Sequence, residues 1–375
     1  MMIQSVLAAI VRQPHAFKRG GLHASNSRRL SACLLTLIAF GSVCGSTSMA
    51  QNAAASPTIE RIRKHGSLRC QVSSPSQGLY SLSPDGKWEG FFIDLCRAIS
   101  VAVLDSADAL EVKSVPITAR FSTLASGESD VIMDGATWTT SRDTQLNFNF
   151  TNVVLYDGQG FLVPAESGVK SGEDLSGATI CLLSGGATTQ MNLSDFFRRN
   201  GGKSYTPVTS EGSATMAETY LQGGCDAIVN DKFSLIAMRN SFPDPSKHII
   251  LPDLISKEPL APMVREDDAK WENLIRWVMI GLITAEEAGV TSSNVKAMAD
   301  SSDPGIRRLL GVEGDFGTTL GLKNDFMQRV ISDVGNYGEI YERAFGENSA
   351  TKLPRKGSLN ALWVNGGLLY AYPIR

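Results

Sequence analysis

The chain has 375 residues, with 35 Lys and Arg against 38 Asp and Glu, a formal charge of −3 and six cysteines. Its first fifty residues carry five basic and no acidic side chains, so the remaining stretch of roughly 325 residues sits at about −8. A chain that acidic is a poor nucleic-acid binder, and it is longer than one hydrophobic core usually serves, so two lobes are expected.

In chain order, Arg28 and Arg29 precede the apolar run Leu30-Ser-Ala-Cys-Leu-Leu-Thr-Leu-Ile-Ala-Phe40, and Ser48-Met49-Ala50 then offers small residues for cleavage. Basic, apolar and small-residue regions in that order describe a secretory signal over residues 1–50; the run falls short of the roughly 20 residues of a spanning helix. Cys44, behind Gly41-Ser42-Val43, fits a lipid-attachment site poorly, so export as a soluble periplasmic protein is expected.

Leu68–Val72 reads as a strand, and Phe92, Leu95, Cys96, Ile99 and Val103 recur at helical spacing behind the turn Ser83-Pro-Asp-Gly-Lys87. Strands follow at Glu111–Ile117 and Asp130–Met133, with a short helix at Phe121–Ser126 between them. The pattern repeats: strand Ala178–Leu183, helix Thr189–Arg199, strand Tyr205–Thr209, helix Thr215–Leu221, strand Cys225–Val229. Such alternation predicts an α/β fold with parallel sheets. A faint internal echo sets Leu124–Met133 beside Leu221–Asn230, each a helix end, glycine turn, aspartate and buried strand.

Four cysteines follow the expected signal, and an even number in an oxidising compartment suggests disulfides, the alternative being four buried free thiols. Cys70 lies in a strand and Cys96 on the apolar face of the next helix, while Cys181 and Cys225 lie in strands expected to be neighbours. The pairs Cys70–Cys96 and Cys181–Cys225 are therefore expected.

Ligands of open α/β sheets bind beyond the carboxyl ends of strands, which directs attention to three turns. After Met133 comes Asp134-Gly-Ala-Thr-Trp-Thr-Thr-Ser-Arg-Asp143, where Arg142 is either a carboxylate clamp or a solvated loop arginine. After Leu183, Ser184-Gly-Gly-Ala-Thr-Thr-Gln190 opens a helix whose N–H groups attract anions, with Thr188 or Thr189 as an ordinary cap. After Val229, Asp231 either receives an ammonium group or caps its helix. Together the turns complement a zwitterion. Signals for chemistry are weak: His65 and His248 have no metal-ligand neighbours, there is no Gly-x-Ser-x-Gly elbow, and Gly201-Gly-Lys-Ser204 has Phe197 where a phosphate loop needs glycine.

From about Thr58 to Arg375 the chain resembles the general L-amino-acid-binding periplasmic proteins of ABC uptake systems. The residues that carry the resemblance are Ile59-Glu-Arg-Ile-Arg-Lys-His-Gly-Ser-Leu-Arg-Cys70, Thr137-Trp-Thr-Thr-Ser-Arg-Asp-Thr144, Tyr156-Asp-Gly-Gln-Gly-Phe161 and the terminal Leu359–Arg375. The resemblance implies a two-lobe α/β fold of the type II solute-binding kind, each lobe a central, mainly parallel sheet flanked by helices. Lobe 1 would comprise 58–157 and 262–375, and lobe 2 would comprise 158–261, with crossovers near Asp157–Phe161 and Glu258–Val264. It implies a monomer without cofactor or metal that binds a free L-amino acid and serves a membrane-embedded permease.

By the same resemblance, Arg142 binds the α-carboxylate with help from Thr189 and its neighbour Thr188. Asp231 receives the α-ammonium together with the carbonyl of Gly135, and the hydroxyl of Thr137 lies between the two. Ser74, Gln77 and Tyr80 are expected to line the side-chain pocket. The chain departs from the family in having Asp134-Gly135 where Arg-Asn is usual, which puts broad specificity in doubt. Two other readings share the fold: an enzyme similar to cyclohexadienyl dehydratase, using Glu211, Glu218 or Asp134 as an acid, and an extracytoplasmic amino-acid sensor.

Overall fold

In a computed structural model of the chain, residues 56–185 and 188–375 are described. The expected signal over 1–50, with Cys44 and the cleavage residues, lies outside them. Two five-stranded sheets organise the remainder. The first runs Leu110–Ser114, Leu68–Val72, Val131–Ile132, Met263–Arg265, Phe148–Phe150; the second runs Thr206–Ser210, Thr179–Leu183, Ala227–Asp231, Gln159–Pro164, His248–Ile250. In both, the first three strands are parallel and the fourth is antiparallel to them. The echoed segments Leu124–Met133 and Leu221–Asn230 thus lead into strands at the same position of each sheet.

The strands are short apolar runs because helices cover both sheet faces, as a parallel sheet requires. In Gln159–Pro164 the side chains alternate. Phe161 and Val163 pack with Leu193 and Phe197 on one face, and Leu162 packs with Met216 and Leu235 on the other. In the first lobe, helix Phe91–Leu104 is buried over nearly its whole length against helices Phe326–Val334 and Tyr337–Phe345. The strand expected over Glu111–Ile117 ends at Ser114, since Pro116 lacks an N–H and a single 3₁₀ turn, Ile117–Ala119, follows.

Two segments join the sheets. Leu155–Asp157 and Glu258–Leu260 pair antiparallel, and Asn360 clasps the first by accepting from the Tyr156 N–H at 2.7 Å and donating to its carbonyl at 2.9 Å. Gly158 and Gly160, which follow the first of these segments, have ordinary φ. They are glycine for space: a Cβ would stand 2.9 Å from the Ser256 carbonyl oxygen and 3.0 Å from that of Asp253.

Cys70 is joined to Cys96 and Cys181 to Cys225, with Cα separations of 6.2 and 5.8 Å. Each staple ties elements within one lobe, closing about 26 and 44 residues, which in the loop-entropy account contributes at most roughly 3.5 and 4 kcal/mol. Replacing Cys181 and Cys225 together by Ser is expected to lower the urea midpoint, with the loss in unfolding free energy staying within that limit. Peptide mapping of the exported protein should recover both links, and four free thiols would contradict the assignment.

Candidate functional site

A cavity of about 70 Å³ lies between the carboxyl ends of the two sheets. On a scale where one water needs roughly 10–15 Å³, that is space for about five to seven waters, the size of a small metabolite. Its walls come from both lobes: Ser73, Ser74, Tyr80, Arg120, Asp134, Gly135, Thr137 and Arg142 from one, and Gln159, Thr188, Thr189, Glu211, Asn230 and Asp231 from the other. The lips touch. A Cβ on Gly212 would stand 3.7 Å from the Ser74 hydroxyl, and one on Gly185 only 2.7 Å from the Thr118 methyl.

Arg142 sits on the short helix Thr140–Gln145, whose start Thr139 caps by accepting from the Arg142 N–H. The guanidinium is not a solvated loop group: the residue is 6% exposed, donates to the Thr137 carbonyl at 2.8 Å and lies 5.6 Å from the centre of the Phe121 ring. Burial and the neighbouring charge of Arg120 lower its pKa to about 10, so it remains a cation at neutral pH.

Asp231 ends the strand Ala227–Asp231 and precedes helix Lys232–Ser241, yet its side chain makes no cap bond. Asp157 performs that task from the crossover, accepting from the Phe233 N–H at 3.1 Å and from its neighbour Gly158 N–H at 2.8 Å. The Asp231 carboxylate is thereby left to the cavity, where Gln159 donates to it at 3.0 Å. Burial and the charge of Glu258 push its pKa up to about 7, against the opposing pull of Gln159 and the two arginines. Burial and Asp231 likewise hold Asp157 well above the usual carboxylate range.

Glu258 is the acid that sequence analysis passed over, although it lies in the expected crossover. It is 2% exposed and accepts from Thr137, Thr188 (3.3 Å), Asn192 (2.9 Å) and Ser256 (2.6 Å), so hydroxyls of both lobes converge on it. Gln159, also in a quoted crossover motif, donates to Thr188 and Thr189, each at 3.1 Å. Thr188 takes the cap position of helix Thr189–Arg199 without capping it.

Of the expected pocket residues, Ser74 and Tyr80 line the cavity, and burial with the Asp134 charge raises the Tyr80 phenol. Gln77 does not. The Ser76 N–H bonds back to the Tyr80 carbonyl at 2.8 Å, and the resulting turn leaves Gln77 exposed, beside a separate depression with Asp94 and Arg343. Arg120, buried at the turn after Leu110–Ser114, is a cavity residue that the strand-end rule would have found had it been applied to that strand too. Among the three acids an enzyme would draw on, Glu218 is outside the cavity and Glu211 is exposed on its wall. No group of three His, Cys, Asp or Glu that could hold a metal occurs among the described residues.

The bacterial extracellular solute-binding proteins, family 3, match residues 70–347. The glutamate/glutamine/aspartate/asparagine-binding protein BztA of Rhodobacter capsulatus is 43% identical over 90% of this chain and 98% of its own. The general L-amino acid-binding periplasmic protein AapJ of Rhizobium johnstonii is 44% identical over 86% and 94%. Among solved structures, an ABC transporter periplasmic binding protein from Brucella ovis with glutathione bound superposes with a TM-score of 0.82 at 41% identity, covering 85% of this chain and 99% of that one. With this coverage and the two-sheet architecture in agreement, the chain belongs to the bacterial extracellular solute-binding proteins of family 3.

Proposed function

We propose that the protein captures free L-amino acids in the periplasm, after removal of a signal peptide, and delivers them to an ABC permease without altering them. The observation that carries this reading is the division of charge. Arg142 belongs to one sheet's strand-end turn and Asp231 to the other's, and both line one cavity. An α-carboxylate on Arg142 and an α-ammonium on Asp231 bridge the lobes, so ligand contacts favour the closed arrangement over an open one. Thr189 and the helix it starts assist the carboxylate, and the Gly135 carbonyl assists the ammonium. The names of the relatives BztA and AapJ, both amino-acid-binding proteins, support the substrate class.

The crossovers Leu155–Asp157 and Glu258–Leu260 are the hinge in this reading, dividing the chain into 58–157 with 262–375 and 158–261. The protein acts as a monomer, and small-angle scattering of ligand-stripped protein should show compaction on saturation with ligand. An unchanged profile would contradict hinge closure.

In a closed cleft, deleting one charged partner leaves the other buried and unmatched, at about 3–5 kcal/mol. Arg142→Ala should therefore weaken binding of every amino acid by roughly two to three or more orders of magnitude in calorimetric titration, with no ligand consumed. Asp231→Asn should do likewise; near-native affinity in either variant would remove the clamp.

The two pH effects of Asp231 have opposite signs. Its folded pKa is raised to about 7, so ionisation above that pH costs folding stability, and Asp231→Asn should leave the ligand-free protein as stable as the native form at pH 8, or more so. An ammonium ligand requires the ionised form, so native affinity should be full above pH 7 and fall by up to tenfold per unit as pH drops toward 5. The variant should lack that slope; a slope that persists would place the proton elsewhere.

A further inference from the structure

The cavity holds a second pair of charges that the backbone clamp does not use. Asp134 and Arg120 are both buried, with Asp134 Oδ2 accepting from the Ser73 hydroxyl at 2.9 Å and lying 3.5 Å from Arg120 Nη1. The other oxygen, Oδ1, has no donor among the described residues, although the Asp134 side chain is wholly out of solvent. Buried carboxylate oxygens are ordinarily satisfied, and leaving one without a donor is costly. Tyr80 fixes the turn beneath it, its hydroxyl donating to the Asp134 carbonyl at 3.3 Å, and Gly135 takes up the left-handed φ of 77° that carries the chain onward. Both members of the pair line the same cavity as Arg142 and Asp231.

We propose that Asp134 and Arg120 form a side-chain subsite that selects an amino acid bearing a terminal carboxamide, a refinement that rests on the amino-acid-binding reading above. A carboxamide is neutral and planar, with N–H groups to give to Asp134 Oδ1 and a carbonyl oxygen to accept from Arg120. A side-chain carboxylate would bring its charge against Asp134, and an ammonium or guanidinium would stand beside Arg120. An aliphatic side chain leaves Oδ1 without a donor. Sites built to hydrogen-bond a ligand reject analogues that leave their buried polar groups unpaired far more strongly than apolar pockets reject a missing methylene. Glu211, the remaining acid of the cavity wall, is exposed, so water screens its charge.

The test is calorimetric titration of ligand-stripped native protein at pH 8 with glutamine, asparagine, glutamate, aspartate, lysine, arginine and alanine. One carboxamide at least is expected to bind ten or more times tighter than its own acid and than either basic amino acid. In Asp134→Asn, whose side-chain amide accommodates a carboxylate, the ratio of carboxamide to acid affinity should fall at least tenfold. Native affinities that are level across the panel, or that favour an acid or a base, would overturn the proposal even if the variant does not fold. An unchanged ratio in a folded Asp134→Asn would also overturn it. Loss of every ligand in Arg142→Ala reports on the backbone clamp alone, whereas native protein that binds no amino acid would overturn the underlying reading and this one with it.

Discussion

Three carboxylates, Asp157, Asp231 and Glu258, influence one another where the lobes join, and the cleft is arranged around keeping all three there. Each is treated differently. Glu258 is supplied with four side-chain donors, and Asp157 receives two backbone N–H groups as it starts a helix. Asp231 has Gln159 as its one side-chain donor among the described residues, and burial leaves it in need of a positive partner. In the proposed reading, this unequal distribution of donors leaves Asp231, of three similar acids, to receive the ligand's cation. The capping of the Lys232–Ser241 helix by Asp157 makes this possible, because a capping aspartate at 231 would spend its oxygens on the helix.

The lobes inherit their relation from topology. In each sheet the fourth strand is the one that has just arrived from the other lobe, so both crossovers enter near the middle of a sheet and beside the strand ends that line the cavity. Residues of the crossovers, Gln159 and Glu258, can then bond to Thr188 and Thr189 on one side and Thr137 on the other. In the proposed closure, the hinge segments are therefore part of the binding wall, and a change in what the cavity holds would be felt directly by the segments about which the lobes turn.

The strands and helices were readable from sequence because their apolar periodicity is local; most element ends shifted by a residue or two, and a proline or a continuing ladder decided the shifts at Pro116 and at Asp231. The turn holding Arg142 was readable because strand ends in α/β sheets are where ligands collect. Arg120, beyond the end of Leu110–Ser114, lay within reach of the same rule, whereas Gln159 and Glu258 did not, since their importance comes from contacts between segments as distant as Thr137 and Glu258, which no spacing rule reaches. Gln77 misled for the converse reason: it shares a loop with Ser74 and Tyr80, but a backbone turn invisible in composition points it outward. Asp134, noticed first as a departure from a family pattern, gains its physical meaning from the burial that strips one of its oxygens of a donor.

The central claim is that one ligand carbon is held by both lobes at once through its two charges. A crystal structure of the protein saturated with a bound amino acid tests it most directly. The account predicts the α-carboxylate within hydrogen-bond distance of Arg142 and the α-ammonium within hydrogen-bond distance of Asp231 in the same closed molecule. A ligand whose ammonium contacts only the lobe that carries Arg142, or whose carboxylate lies away from Arg142, would contradict it.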